Sequence, residues 1–206
     1  MKKSYLYTIL AILLGVLLYN SVYFEKLSKR NSQKNAKFDF NTFADSLYYN
    51  GILKSTQAIE INQLLALTKV NADSAFKTYG NRLGIGESAY FMVNATGKII
   101  EKNEGELKVI TQNGTTLIID TKYIFGNAIR DASGLVKLTD FKTNADFNKV
   151  SEALNTVIRE KAIPKNLNNI INGNIISVTG AIKLKKGKTN NQILNILPIK
   201  ISKSEQ

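Results

Sequence analysis

The sequence predicts an α+β protein with a membrane-spanning start, on three observations. An uncharged run of 21 residues, Ser4–Phe24, lies near the beginning. Apolar residues at helical spacing fill the stretch from Phe38 to Tyr79. Five β-rich segments follow, with one amphipathic helix between the third and the fourth. That β–β–β–α–β–β order is the order of an OB-type Greek-key barrel, so a five-stranded, OB-like antiparallel β-barrel is expected. The expected division is residues 1–27 as a transmembrane anchor, 28–37 as a linker, 38–86 as a small helical subdomain and 87–206 as the OB-like β domain.

The anchor rests on length and flanks. Residues 4–24 match the ~20 residues that cross a bilayer as a helix, and Tyr5, Tyr7, Tyr19, Tyr23 and Phe24 stand where interfacial aromatic belts form. A cleaved signal peptide is the weaker reading, because "LLYNSVYF" lacks small residues at a cut site. More basic residues follow the span than precede it, so charge alone leans against an exported domain. "LSKRNSQKNAK" is polar and aperiodic, as a linker is.

In the helical part, Phe40, Phe43, Ala44, Leu47 and Gly51 share one helical face, and Ile61, Leu64, Leu65 and Thr68 another. Asn71 or Asp73 is expected to start a third helix that Gly80 stops. The first strand alternates through Phe91, Val93, Ala95 and Ile99, with Gly97 as a bulge. Asn113-Gly114 marks a hairpin with a two-residue type I′ turn. Phe147, Val150, Leu154, Val157 and Ile158 define the helix after the third strand, capped by Asn144 and ended by Pro164. "NIISVTGAIKL" and "ILNILPIKI" supply the last two strands.

Composition removes whole classes of chemistry. The sequence has no cysteine and no histidine, which excludes disulfides, thiolate nucleophiles, imidazole bases, Cys/His zinc sites and a lipid-modified cysteine. No catalytic, cofactor-binding or metal-binding residue is expected. The net charge of +12 divides as +6 over residues 1–37, zero over 38–162 and +6 over 163–206. A nucleic-acid domain carries its excess on the folded body, so no nucleic-acid partner is expected and the bilayer, through residues 4–24, is.

The stretch "YIFGNAIRDASG" holds the strongest candidate site. Arg130 and Asp131 stand side by side between Gly126 and Gly134. One reading is a guanidinium fork offered to a ligand. The other, preferred, is an internal clasp binding the loop to the following helix. In an extended strand the two side chains would point to opposite faces and need not meet. Glu101, Glu104 and Glu106 read as a solvated edge that guards against strand aggregation. Gly84–Ser88 lacks the Walker lysine, and Lys183–Lys188 reads as a solvated turn.

Taken in order, "YGNRLG", "YFMVNATGKIIE", "IFGNAIRDASGLVKLTDF", "FNKVSEALNTVI" and "VTGAIKL…ILNILPIKI" resemble a bacterial family of predicted periplasmic lipoproteins, domain of unknown function 2291. The similarity spans Phe38 to Ile201. Its most specific element, G-x-A-x-R-D, is met by Gly126, Ala128, Arg130 and Asp131, followed by Asp140-Phe141 and Leu154-Asn155. The resemblance implies a helical part plus an OB-like part, no enzymatic activity, and genes beside sugar ABC transporters, so that transporter components are expected partners. It also implies an extracytoplasmic domain. The expected function is a membrane-anchored, non-enzymatic accessory or binding module of the envelope. The alternatives are a carboxylate-dependent hydrolase of envelope glycan, using Asp131 and Asp140, and an oligonucleotide-binding barrel.

Overall fold

The computed structural model describes Tyr7 and residues 38–204, apart from 56, 83, 85 and 189–192. Residues Asp39–Gln206 form one compact unit, separate from Met1–Phe38. The expected span over residues 4–24 lies outside the described residues except for Tyr7. Among the described residues no helix is long and apolar enough to cross a membrane.

The compact unit begins with α1 (Phe40–Ser46), which widens into a π-turn, Leu47–Gly51, and tightens into a 3₁₀ turn, Ile52–Lys54. Asp39 caps α1 by accepting the N–H groups of Asn41 and Thr42. A two-residue strand β1 (Ile59–Glu60) leads into α2 (Ile61–Val70). Asn71 then caps α3 (Ala72–Tyr79), and a second short strand, β2 (Gly80–Asn81), follows. Both short strands pair with β3 (Ser88–Lys102). Two residues carry no periodicity, which is why neither was legible in the sequence.

The barrel consists of β3, β4 (Glu106–Thr111), β5 (Thr116–Asp120), β6 (Ile175–Lys185) and β7 (Leu194–Lys203). The strands run β3-β4-β5-β7-β6, and β6 returns to β3 to close the ring. This is the OB arrangement expected, with two corrections. The ring is not wholly antiparallel, because β5 and β7 pair in parallel, and the full sheet has seven strands rather than five. The parallel pair follows from topology, since β7 returns from the β6 hairpin to lie beside the third barrel strand.

Closure depends on β3, whose first part pairs with β6 and whose last part pairs with β4. Gly97 stands at the overlap, opposite Thr111 on one side and Ile176 on the other. A Cβ there would approach the Ile110 carbonyl oxygen to 2.5 Å, so this position requires glycine for close approach. The expected bulge lies further on, between Ile99 and Glu101. The β4–β5 connection is also longer than a type I′ turn. A Thr111–Gly114 turn, closed by the Gly114 N–H to the Thr111 carbonyl (3.0 Å), precedes a Thr111–Thr115 backbone bond.

Several helical pieces, rather than one helix, connect β5 to β6. They are α4 (Ala128–Ser133), a 3₁₀ turn (Leu138–Asp140), α5 (Asn144–Thr156) with a π-turn extension (Val157–Ala162), and α6 (Ile163–Leu167). The cap of α5 is Thr143, whose hydroxyl accepts the Asp146 N–H, and not Asn144. Pro164 does not end this helix. It occupies the first turn of α6, where its missing N–H has no helical partner to lose. Phe147, Val150, Leu154, Val157 and Ile158 are all buried, as their spacing requires. Leu154, Val157 and Ile158 share a core with barrel residues such as Phe91, Leu117, Ile182 and Ile196, and with Ala44, Ile61, Leu64 and Phe76 of the first three helices.

Candidate functional site

The short helix α4 changes the relation of Arg130 to Asp131. On a helix the two side chains are not sent to opposite faces, and the Arg130 guanidinium folds back onto its neighbour. Its Nε and Nη2 donate to Asp131 Oδ1 at 2.8 and 2.7 Å. Nη1 donates to the Phe147 carbonyl of α5 at 2.9 Å, and the guanidinium lies 3.4 Å above the Phe147 ring centroid. The side chains of the pair are each 1 % exposed. Asn127 donates to the other oxygen of Asp131. Burial pushes the Asp131 carboxyl above the ordinary carboxylate range, against the opposing pull of Arg130 and Asn127.

The remaining motif residues divide around this pair. Gly126, at φ +78°, exposes a carbonyl that accepts the Asn155 side-chain amide at 2.8 Å. Ala128 starts α4 and packs against the core. Gly134, at φ +62°, ends α4 in the left-handed conformation, and a Cβ there would meet Asn81 Oδ1 at 2.9 Å. Phe141 stacks at a tilt on Phe147 (5.8 Å) and edge-on to Phe43 (5.9 Å), extending the aromatic support of Arg130 to α1. Asp140 stands apart: it is exposed, and its carboxylate accepts the Lys137 N–H at 2.9 Å. None of the three cavities described below is lined by Asp131 or Asp140.

The other charged candidates have local partners. Glu104 pairs with Lys122 at 2.6 Å, while Glu101 and Glu106 accept from Asn103. In the lysine run, Lys185 pairs with Glu87 at 3.1 Å, Lys186 pairs with Asp73, and Lys183 lies over the Tyr90 ring. Among the described residues no group of acidic, histidine or cysteine side chains is placed to hold a metal ion.

The described residues line at least three cavities. One of about 470 Å³ adjoins β1 and Asn81, and one of about 220 Å³ lies between Ile52 and Thr179. The largest of these three, about 610 Å³, opens beside the motif, between the Phe125–Asn127 loop and the outer face of α5. Asn148, Ser151, Glu152, Asn155 and Arg159 supply its helical wall. Ser151 is 5 % exposed, and its hydroxyl has no hydrogen-bond partner among the described residues. Arg159 is held by the Ile124 carbonyl (3.0 Å) and the Thr156 hydroxyl (3.3 Å), with its guanidinium 4.9 Å from the Phe125 ring centroid. The sequence reading missed this wall. Its signal was present in Asn148, Glu152, Asn155 and Arg159, which fall four, three and four residues apart, a polar stripe at helical spacing.

The family model described as "Predicted periplasmic lipoprotein (DUF2291)" matches residues 12–202. A crystal structure of an OB-fold protein from Thermotoga maritima MSB8 superposes with a TM-score of 0.70 at 20 % identity, covering 82 % of this chain and 99 % of that one. At that identity the likeness shows the fold. Comparison with curated proteins gives no match.

Proposed function

The chain belongs to the family of predicted periplasmic lipoproteins designated DUF2291, and from that premise we propose that it is a membrane-tethered, non-enzymatic binding module on the outer side of the cytoplasmic membrane. With no cysteine in the sequence to carry a lipid, residues 4–24 serve as the tether. One observation carries the non-enzymatic reading. Both the guanidinium and the carboxylate of the motif are buried and spent on each other, on Asn127 and on the Phe147 carbonyl. A general acid needs reach to a substrate proton, and neither Asp131 nor Asp140 lines a described cavity. The Arg130–Asp131 pair is therefore a strut that holds the Gly126–Asn127 loop against α5, and the cavity beside it is the functional face.

The finer reading is an accessory of sugar ABC transport, with transporter components as partners. It is supported by the gene context that the family resemblance implies. Two measurements test the proposal. External protease acting on intact spheroplasts is expected to digest the folded unit, and full protection would refute the placement. Sugar uptake in cells lacking the gene is expected to fall and to recover when the full chain is restored; unchanged uptake would refute the transport role.

A further inference from the structure

We propose that the cavity between the Phe125–Asn127 loop and α5 binds a neutral, polyhydroxylated ring, a sugar or cyclitol. This assignment rests on reading the chain as a binding module, and it names the ligand class of that module's site. At about 610 Å³ the cavity lies within the ~300–1,000 Å³ range of small-molecule sites.

Four features select the class. The Ser151 hydroxyl is buried without a partner among the described residues. An unmet buried hydroxyl costs about 1–3 kcal/mol; its oxygen is covered in the free protein, so rotation of the side chain into the cavity is the step that lets a ligand hydroxyl, which donates and accepts at once, relieve that cost. Second, the carboxamides are held in place before any ligand arrives. Asn155 donates to the Gly126 carbonyl, which leaves its Oδ1 without a partner among the described residues. Asn148, also in the cavity lining, receives Arg130 Nη1 on its Oδ1 at 3.5 Å. Such fixed donors and acceptors lose little freedom on binding. Third, Phe125 lines the cavity and stays 59 % exposed although Arg159 sits over its ring, so apolar surface remains for the C–H side of a ring.

The fourth feature is charge. Glu152 and Arg159 are the charged residues that line the cavity, and they cancel. Arg159 already donates Nη1 to the Ile124 carbonyl and Nη2 to the Thr156 hydroxyl. Two of the five N–H donors of the guanidinium are thus spent, and Glu160 Oε1 stands 4.0 Å from Nη2. An anionic ligand would compete with Glu152 and Glu160 for the single cation of the lining, whereas a neutral polyol needs none.

The test is calorimetric titration of the full chain in detergent with D-glucose, D-ribose, myo-inositol, adenosine and glucose 6-phosphate, repeated with Phe125→Ala and Ser151→Ala. Saturable binding of at least one neutral polyol is expected, weakened roughly threefold to tenfold by Phe125→Ala, the equivalent of an aromatic contact. Ser151→Ala is expected to weaken binding while leaving the free protein as stable or more stable, which loss of structure would not do. Absence of saturable binding by all three polyols overturns the assignment, and so does wild-type affinity in both variants. Tighter binding of glucose 6-phosphate than of glucose, or of adenosine alone, overturns the neutral-polyol class. The two readings fail separately. Polyol binding in a protein whose loss leaves uptake unchanged keeps this assignment and sinks the transport role; impaired uptake without any binding does the reverse.

Discussion

Removing the Arg130 guanidinium would leave the Asp131 carboxylate buried with only Asn127 beside it. Stranding one member of a buried ion pair costs about 3–5 kcal/mol. Arg130→Ala is therefore expected to lower the urea midpoint sharply at neutral pH. The sign of its pH dependence follows from Asp131, whose carboxyl burial already pushes upward. As pH falls, the stranded group takes up a proton and the penalty shrinks, so wild type and variant should converge toward acid. Unfolding curves at several pH values check this, and an unchanged gap would rule it out. The pair shows where sequence reading stopped. Arg130 and Asp131 stood out by their glycine brackets, yet whether they met depended on strand or helix at that point. Six helical residues gave no periodic signal long enough to decide. Ser151 was less visible still, because a hydroxyl's lack of partners exists only once the chain has folded.

At the scale of elements, the first helix is fastened to the last strand by one buried phenol. The Tyr48 hydroxyl donates to the Ile199 carbonyl at 2.9 Å. Burial, together with the neighbouring Tyr49, raises its pKa to about 12. A raised phenol contributes stability that is complete below the ordinary value near 10 and is lost as pH climbs toward 12. Tyr48→Phe should cost about 1 kcal/mol at neutral pH, and should lose less than wild type between those two pH values. Thermal melts across that range measure the difference. A second expectation concerns Gly97. Its missing Cβ makes room for the Ile110 backbone, so Gly97→Ala should destabilise by roughly 1–3 kcal/mol through overpacking, read as a lower urea midpoint. Long periodic elements were legible: the buried face of α5 and the alternation of β6 came directly from spacing. The extent of the connection between β5 and β6 was not, because π-turns and 3₁₀ turns break the repeat that sequence patterns rely on.

For the whole molecule, the shared core is the decisive feature. Ala44, Ile61, Leu64 and Phe76 belong to the same apolar cluster as the barrel interior, and Phe76 meets Phe91 edge-to-face at 5.0 Å. Helical segment and barrel are therefore expected to unfold in one cooperative step, with far-ultraviolet dichroism and tyrosine fluorescence giving coincident transitions. Two separated transitions would mean that the segments hold independently. The strand order that announced a barrel carried no information on this sharing, which depends on which helix faces turn inward. The long strand β3 has one more consequence, and it concerns time. Ser88 pairs with Lys185 and Lys98 with Ile175, so the ring stays open until nearly the whole chain is present. Loop-closure entropy must be met before such distant pairings reward it. A chain emerging from a ribosome or an export channel thus remains threadable until its final strands appear, and then closes all at once.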